Sequence, residues 1–306
     1  MDKRWDVLGF GAVAVDELVM VERHPEPDSK NHVLAHRREG GGLTGTALVA
    51  VARLGGRAAY CGVLGDDELA RYTLQELERE GVDCGQVLRQ AGAQPIHSFI
   101  IVVPSTGERT VLAYRGNTVV RPPGTLTADL IAGCRVLFVD HVGLEPALHA
   151  APLARSLGIP VVADLESDSD SRVMELMAHV DHLVLGAGFA ERLTGQAAPA
   201  DAVRALGGPQ RACVAVTHGG KGCWYAERGG LVRHIPALAV EARDTTGCGD
   251  VFHGAYALCM ARGLSVEEAI RVATVTAGLK AMQPGGRTGI PDWETVQRAL
   301  AQGGLP

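Results

Sequence analysis

The sequence predicts an α/β fold: a doubly wound, mostly parallel sheet flanked by helices, with a small β-sheet lid. Two observations carry this. Short apolar runs at residues 136–140, 161–164, 182–185 and 212–217 are separated by helix-like segments. Strands arranged in this way imply a parallel sheet covered on both faces. Two other pieces, about 16–39 and 96–116, are rich in strand signals and poor in helix signals. They are expected to pair as a lid over one edge of the main sheet. With 306 residues, no internal repeat and no long linker, the chain reads as one domain spanning 1–306.

In chain order, residues 5–10 read as the first strand. Gly9-x-Gly11-x-x-Ala14 imitates a dinucleotide fingerprint. It fails on context, because residues 15–21 continue as strand-like sequence where the fingerprint needs a helix. Asp16 falls just past the first strand, at the edge where open α/β sheets bind ligands. Taken alone it reads equally well as a solvated loop carboxylate. A strand is expected around 31–36. Gly40-Gly41-Gly42 then precedes a helix of small residues that runs from Thr44 to the stop at Gly55-Gly56. Three glycines there either admit a ligand close to the backbone or make a flexible turn.

Residues 58–63 read as a strand, and 66–80 as an amphipathic helix with Leu69, Tyr72 and Leu77 on one face. Runs 96–103 and 110–114 flank Ser105-Thr106-Gly107-Glu108 as a hairpin. Residues 222–235 read as a second hairpin. Helices are expected near 249–262, 265–282 and 291–302.

Composition narrows the function classes. Hydrophobic residues are 46% and charged residues 21%, as in soluble globular proteins. Lys plus Arg is 29 against 35 for Asp plus Glu, a net charge of −6 without a basic cluster, so no nucleic-acid partner is expected. No apolar run is long enough for a membrane span, and no signal-peptide pattern stands at the N-terminus. The seven cysteines are scattered, with no Cys-x-x-Cys pair, which fits a cytoplasmic protein with free thiols and no zinc site.

The densest chemistry lies at Asp244-Thr245-Thr246-Gly247-Cys248-Gly249-Asp250. A strand-like run at 237–240 precedes it and a helix-like run follows. A Gly-rich turn feeding a helix exposes N–H groups with no partner inside the helix, and together with the helix dipole these attract an anion such as phosphate. Asp250 in that positive setting is either an ordinary helix cap or a working carboxylate. The two threonines and Asp244 make the turn more polar than a cap requires, which favours function. Thr217-His218-Gly219-Gly220-Lys221-Gly222 is not a Walker A loop. It reads as a glycine turn beside a nucleotide or as a tight hairpin turn. Residues 283–291 form a Gly-rich loop that either wraps a ligand or merely connects. His141, His218 and His253 lack metal-ligand spacing and read as structural. No serine-nucleophile elbow is present.

With these residues in view, the chain resembles the ribokinase-like (PfkB-type) carbohydrate kinases over nearly all its length. Two motifs carry the resemblance. One runs from Gly41-Gly42 through Ala52-Arg53-Leu54-Gly55 to Gly62-Val63-Leu64-Gly65-Asp66-Asp67, and the other is 244–250. Val251-Phe252-His253-Gly254 and residues 284–291 look closest to the sulfofructose kinase branch. The resemblance implies transfer of the ATP γ-phosphoryl group to a sugar hydroxyl, with Mg²⁺ and in some relatives K⁺. By position, Asp250 would be the base, and Gly247, Cys248 and Gly249 the anion hole. Asp16, Gly41, Gly42 and Thr46 would face the sugar, while Thr217, Gly219 and Gly222 would follow the nucleotide. Asp244 and Thr246 lie where cation-activated relatives bind a monovalent ion. Lys30 and Arg115 are expected to meet an acidic group of the substrate or to be solvated lid charges. A carboxylate at a helix N-terminus is expected to have a lowered pKa.

The departures from the family pattern also matter. Gly186 and Phe189 replace the usual Asn-x-x-Glu that organises Mg²⁺, and Thr46 replaces a sugar-binding Asn. The resulting expectation is an ATP-dependent kinase for a ketose or related sugar, with a homodimer through the lid edges as a plausible assembly. The alternatives are a kinase for a phosphorylated sugar or nucleoside, and a catalytically weak sugar or nucleotide sensor of the same fold.

Overall fold

The computed structural model describes residues 3–106 and 108–303. The first half of the chain holds β1 (Trp5–Phe10), β2 (Ala14–Met20), β3 (Ala35–Gly41), α1 (Leu43–Arg53), β4 (Ala58–Tyr60), β5 (Val63–Leu64), α2 (Glu68–Arg79) and β6 (Leu88–Arg89). Next come β7 (Ile96–Val103), β8 (Glu108–Tyr114), α3 (Ala128–Ala132), β9 (Cys134–Asp140), α4 (Leu144–Ser156) and β10 (Val161–Asp164). The second half adds α5 (Val173–Ala178), β11 (His182–Gly186), α6 (Ala187–Thr194), α7 (Pro199–Leu206), β12 (Cys213–Thr217), β13 (Cys223–Glu227) and β14 (Arg233–Ile235). Three helices follow: α8 (Cys248–Ala261), α9 (Val266–Ala281) and α10 (Trp293–Ala301).

Eight strands form the main sheet in the order β14-β13-β12-β11-β10-β9-β1-β4. Pairing is parallel from β12 across to β4, and the β13–β14 hairpin adds an antiparallel edge. Alternation along each strand feeds two cores. Val136 and Phe138 of β9 face one core with α1, α8 and α9, while Leu137 and Val139 face the other with α4 and α5. This two-faced burial is why these strands read as short continuous apolar runs. The chain winds from β1 to β4 in one direction and from β9 to β12 in the other. The switch between β1 and β9 opens a crevice at the carboxyl ends of the strands, where ligands bind in open α/β sheets.

A separate four-stranded sheet has the order β3-β2-β7-β8. It contains the two strand-rich pieces expected to pair, with β2 and β7 parallel and both outer pairs antiparallel. Gly107, expected in the hairpin turn, lies outside the described residues.

Three expectations need correction. The strand placed at 31–36 starts at Ala35 and runs through Gly41, because β2 fixes its partner's length from Met20↔Ala35 to Ala14↔Gly41. The solvated-loop alternative for Asp16 fails, because the residue is the third of β2, within the run 15–21 read as strand-like. Residues 237–240 form no strand. They find no partner beyond β14, and Leu238 packs instead on Gly278 of α9, where a Cβ would come within 2.7 Å of the leucine Cβ.

Asp140, fully buried at the end of β9, holds the crevice together. Its Oδ2 accepts from Ala12 N and Thr44 Oγ1, both at 2.7 Å. Its Oδ1 accepts from Val142 N at 2.8 Å and Gly143 N at 3.1 Å. Removing this acceptor strands four donors in a buried place, at a cost of about 1–3 kcal/mol for a single unsatisfied group. Asp140→Ala is therefore expected to lower unfolding free energy by about 3 kcal/mol or more in urea denaturation. A loss under about 1 kcal/mol would show that the clamp is dispensable.

Candidate active site

The loop 244–250 delivers α8 into the crevice. Gly247 takes φ +73°, and an added Cβ would lie 2.7 Å from the Gly286 carbonyl, so the turn needs glycine. No side chain caps α8. Cys248 N donates to Thr245 O at 3.2 Å. Among the described residues no acceptor meets the N–H groups of Gly247, Gly249 or Asp250. Two of the three donors expected by resemblance are thus free, and Asp250 N–H joins them. The Cys248 donor is partly engaged.

Asp250 departs from the expected lowered pKa. The residue retains some exposed surface, but its carboxyl is enclosed by protein. Burial pushes its pKa well above the ordinary 3.8, and the negative charges of Asp164 and Glu166 add to the rise. His253 and Arg287 oppose it. Burial and like charge outweigh the helix dipole at this position. Asp164 ends β10 and is itself raised by burial, then by Glu166 and Asp140. Its Oδ2 lies 3.3 Å from His253 Nδ1. His253 is buried one turn along α8, with Nδ1 2.8 Å from Gly249 O and Nε2 2.9 Å from Val184 O. His253 therefore anchors the first turn of α8 to β11.

On the other side of the crevice, Asp16 lies against Gly41, whose missing Cβ leaves room for the carboxylate. Burial raises the Asp16 pKa, while a Ser98 hydrogen bond and Arg287 oppose the rise. Gly42 caps α1 at φ +84°. Thr46 is buried, and its Oγ1 accepts from Arg287 Nε at 3.2 Å. Arg287 Nη2 donates to Gly41 O at 2.7 Å. Arg287 thus joins the two glycine-rich motifs and lies within electrostatic reach of both Asp16 and Asp250. Lys30 and Arg115 are exposed, and neither side chain makes a hydrogen bond or ion pair among the described residues. Arg109 of β8 instead donates to Thr245 Oγ1 at 3.2 Å, joining the small sheet to the loop.

A cavity of about 220 Å³ lies behind the loop. Thr217, Gly219 and Gly222 line it together with Thr245, Cys248 and Gly249. Leu238, Val240, Phe252 and Ala277 give it an apolar wall, and Thr274 also borders it with a buried Oγ1 that has no partner. The three glycine-turn residues expected along a nucleotide therefore share one space with the anion-binding turn.

Asp244 organises the base of the loop. Its Oδ1 accepts from Thr246 N and its Oδ2 from Gly285 N, each at 2.8 Å. Burial raises its pKa, but these hydrogen bonds outweigh it and hold the carboxyl below 3.8. Lys280, with no exposed surface, donates from Nζ to Asp244 O at 2.9 Å. Burial lowers the Lys280 pKa, with Asp244 and Glu39 among the groups opposing. Gly186 caps α6, and Phe189 is buried in the core. The positions that replace Asn-x-x-Glu thus offer no oxygen side chain, and no cluster of three metal-binding side chains occurs among the described residues.

Sequence reasoning missed Arg109, Asp164, Lys280 and the role of Arg287. Arg287 sat inside a quoted motif, and its position between two glycine-rich stretches was the available signal. The others depend on contacts between distant segments.

A cavity beside a helix start with open N–H groups, and carboxylates on either side of it, sit on a doubly wound α/β fold. The model of the pfkB family carbohydrate kinases matches residues 6–293, and the chain belongs to that family. Fructokinase-1 of Oryza sativa subsp. japonica is 28% identical over 93% of this chain and 94% of its own. A crystal structure described as a candidate ribokinase from Agrobacterium tumefaciens has a TM-score of 0.89 at 32% identity, covering 97% of this chain and 98% of that one. Arabidopsis thaliana ribokinase complexed with ribose and ATP has a TM-score of 0.82 at 21% identity, covering 98% and 99%, a likeness of fold.

The raised pKa of Asp250 sets a pH dependence. A carboxylate that serves as a base must be ionised, so with Asp250 in that role kcat/KM should fall as pH drops through a value above the ordinary carboxylate range. Removing a nearby negative charge with Glu166→Gln should move this acid limb to lower pH. An acid limb at or below pH 4, or one unmoved by the substitution, would contradict the electrostatic account of this site.

Proposed function

We propose that this carbohydrate kinase transfers the γ-phosphoryl group of ATP to a hydroxyl of a ketose or related sugar. The observation that carries this reading is the 247–250 turn: Cys248 and Gly249 border the cavity lined by Thr217, Gly219 and Gly222, while Asp250 at its end shares the charge of Arg287 with Asp16. Asp250 accepts the hydroxyl proton. The N–H groups of Gly247 and Gly249, with Asp250 N–H and in part Cys248, stabilise the transferring phosphoryl. Asp16, Gly41 and Gly42 hold sugar hydroxyls, with Thr46 acting through Arg287. Thr217, Gly219 and Gly222 follow the nucleotide. The transition state for phosphoryl transfer is loose, so positioning and charge stabilisation supply most of the catalysis. The fructokinase and ribokinase relatives support a sugar acceptor.

In this reading Mg²⁺ would be held mainly by the nucleotide phosphates and water, since no cluster of three metal-binding side chains occurs among the described residues. The four-stranded sheet acts as a lid, and Arg109 marks its contact with the phosphate loop. Lys30 and Arg115 stand on its outer parts, free to meet a substrate's acidic group on closure.

The test is ADP release measured with free and phosphorylated ketoses, aldoses and nucleosides. Sugar-dependent turnover is expected, with a free ketose best. Binding of a sugar without turnover would instead identify a sensor. Asp250→Asn should lower kcat about 10³-fold while ATP binding persists. Near-normal turnover would remove Asp250 from the role of base.

We also propose a homodimer through the lid. Pairing and alternation place Phe99, Leu112 and Tyr114 on one face, and these side chains are exposed. Every described residue of the edge strand β8 is exposed too. An unpaired apolar edge favours association. Sedimentation velocity is expected to show a dimer that Leu112→Glu converts to a monomer. A wild-type monomer at micromolar concentration would exclude this assembly.

A further inference from the structure

We infer that the ammonium of Lys280 takes the place of a monovalent cation beneath the phosphate loop, so that this kinase works without K⁺. The inference rests on the reading of 244–250 as the phosphoryl-transfer loop. Asp244 and Thr246 were the positions expected to hold such an ion. The structure does not fit them for it. The Asp244 carbonyl already receives Lys280 Nζ at 2.9 Å, and both carboxylate oxygens receive N–H groups, from Thr246 and Gly285. Lys280 has no exposed surface, so its charge is not a solvated one that happens to lie nearby. It reaches the loop from the last turn of α9, whose Ala281 carbonyl accepts from Arg243 N at 2.8 Å and Asp244 N at 3.0 Å.

A fixed charge at this point does what a bound ion would do. It neutralises the Asp244 carboxylate, holds the loop to α9, and adds positive potential beneath the turn where phosphoryl charge develops. A bound ion must be recruited from solution, whereas the lysine is supplied with the fold. A buried ammonium also needs compensating partners, and Asp244 and Glu39 provide nearby negative charge.

The test compares KCl with tetramethylammonium chloride at matched ionic strength, reading both turnover and melting temperature. Wild-type turnover should differ by less than about twofold between the salts, with an unchanged melting temperature. Lys280→Met keeps the length and the apolar stem but removes the charge. It should lose turnover about tenfold or more in tetramethylammonium, and K⁺ or NH₄⁺ should restore part of the loss and raise its melting temperature. Activation or stabilisation of the wild type by K⁺ overturns the inference. So does a folded Lys280→Met protein that keeps full turnover, or one whose loss no cation restores. If Lys280→Met does not fold, the wild-type response decides. If the wild type phosphorylates no sugar, the proposed reaction fails, and the melting temperatures of the two proteins still test the cation replacement.

Discussion

The carboxylate of Asp140 stands where three segments must meet. Ala12 follows β1, Thr44 opens α1, and Val142 with Gly143 leads into α4. The clamp keeps the switch point open and fixes the turn between the two sheets. Asp16 and Gly41 stand a few residues beyond that turn, so the sugar side of the site inherits its geometry from a residue that touches no substrate in the proposed mechanism.

The crevice gathers more negative charge than its visible cations balance. Asp16, Asp164, Glu166 and Asp250 lie within electrostatic reach of one another's neighbours, while Arg287 and His253 supply the opposing charge from below. In the proposed function such an arrangement suits a metal–nucleotide complex, because the cations beneath it are buried and committed. Arg287 is tied to Thr46 and Gly41, and Lys280 to Asp244. Each cation holds backbone in place as well as tuning charge.

The fold was legible because both faces of the sheet are buried. Strand β10 carries no polar residue until Asp164 at its end, and β9 is apolar from Val136 until Asp140 at its end. The phosphate turn was legible for a related reason, since glycine is required at 247 by the backbone and leaves a local mark. Residues 237–240 misled because apolar sequence records packing of any kind, and Leu238 packs, partly buried, against a helix rather than a strand. The Asp250 pKa could not be read locally. A helix start predicts a lowered value, and the opposite outcome comes from Asp164 and Glu166, more than eighty residues away in the chain. Lys280 and Arg109 were hidden for the same reason: nothing beside them in sequence marks the loop they reach.

The contact between α1 and α8 has a mechanical consequence. A Cβ on Gly254 would come within 2.2 Å of the Ala47 carbonyl, so the two helix backbones lie against each other. The sugar-side glycines open one of these helices and the phosphate turn opens the other. They form one stiff jaw whose two halves cannot slide apart. In the proposed function, opening to admit substrate would then fall to the four-stranded sheet, beyond the Ala12 turn that Asp140 holds. Catalytic alignment and substrate entry are thereby assigned to different parts of the molecule, and loosening one need not misalign the other.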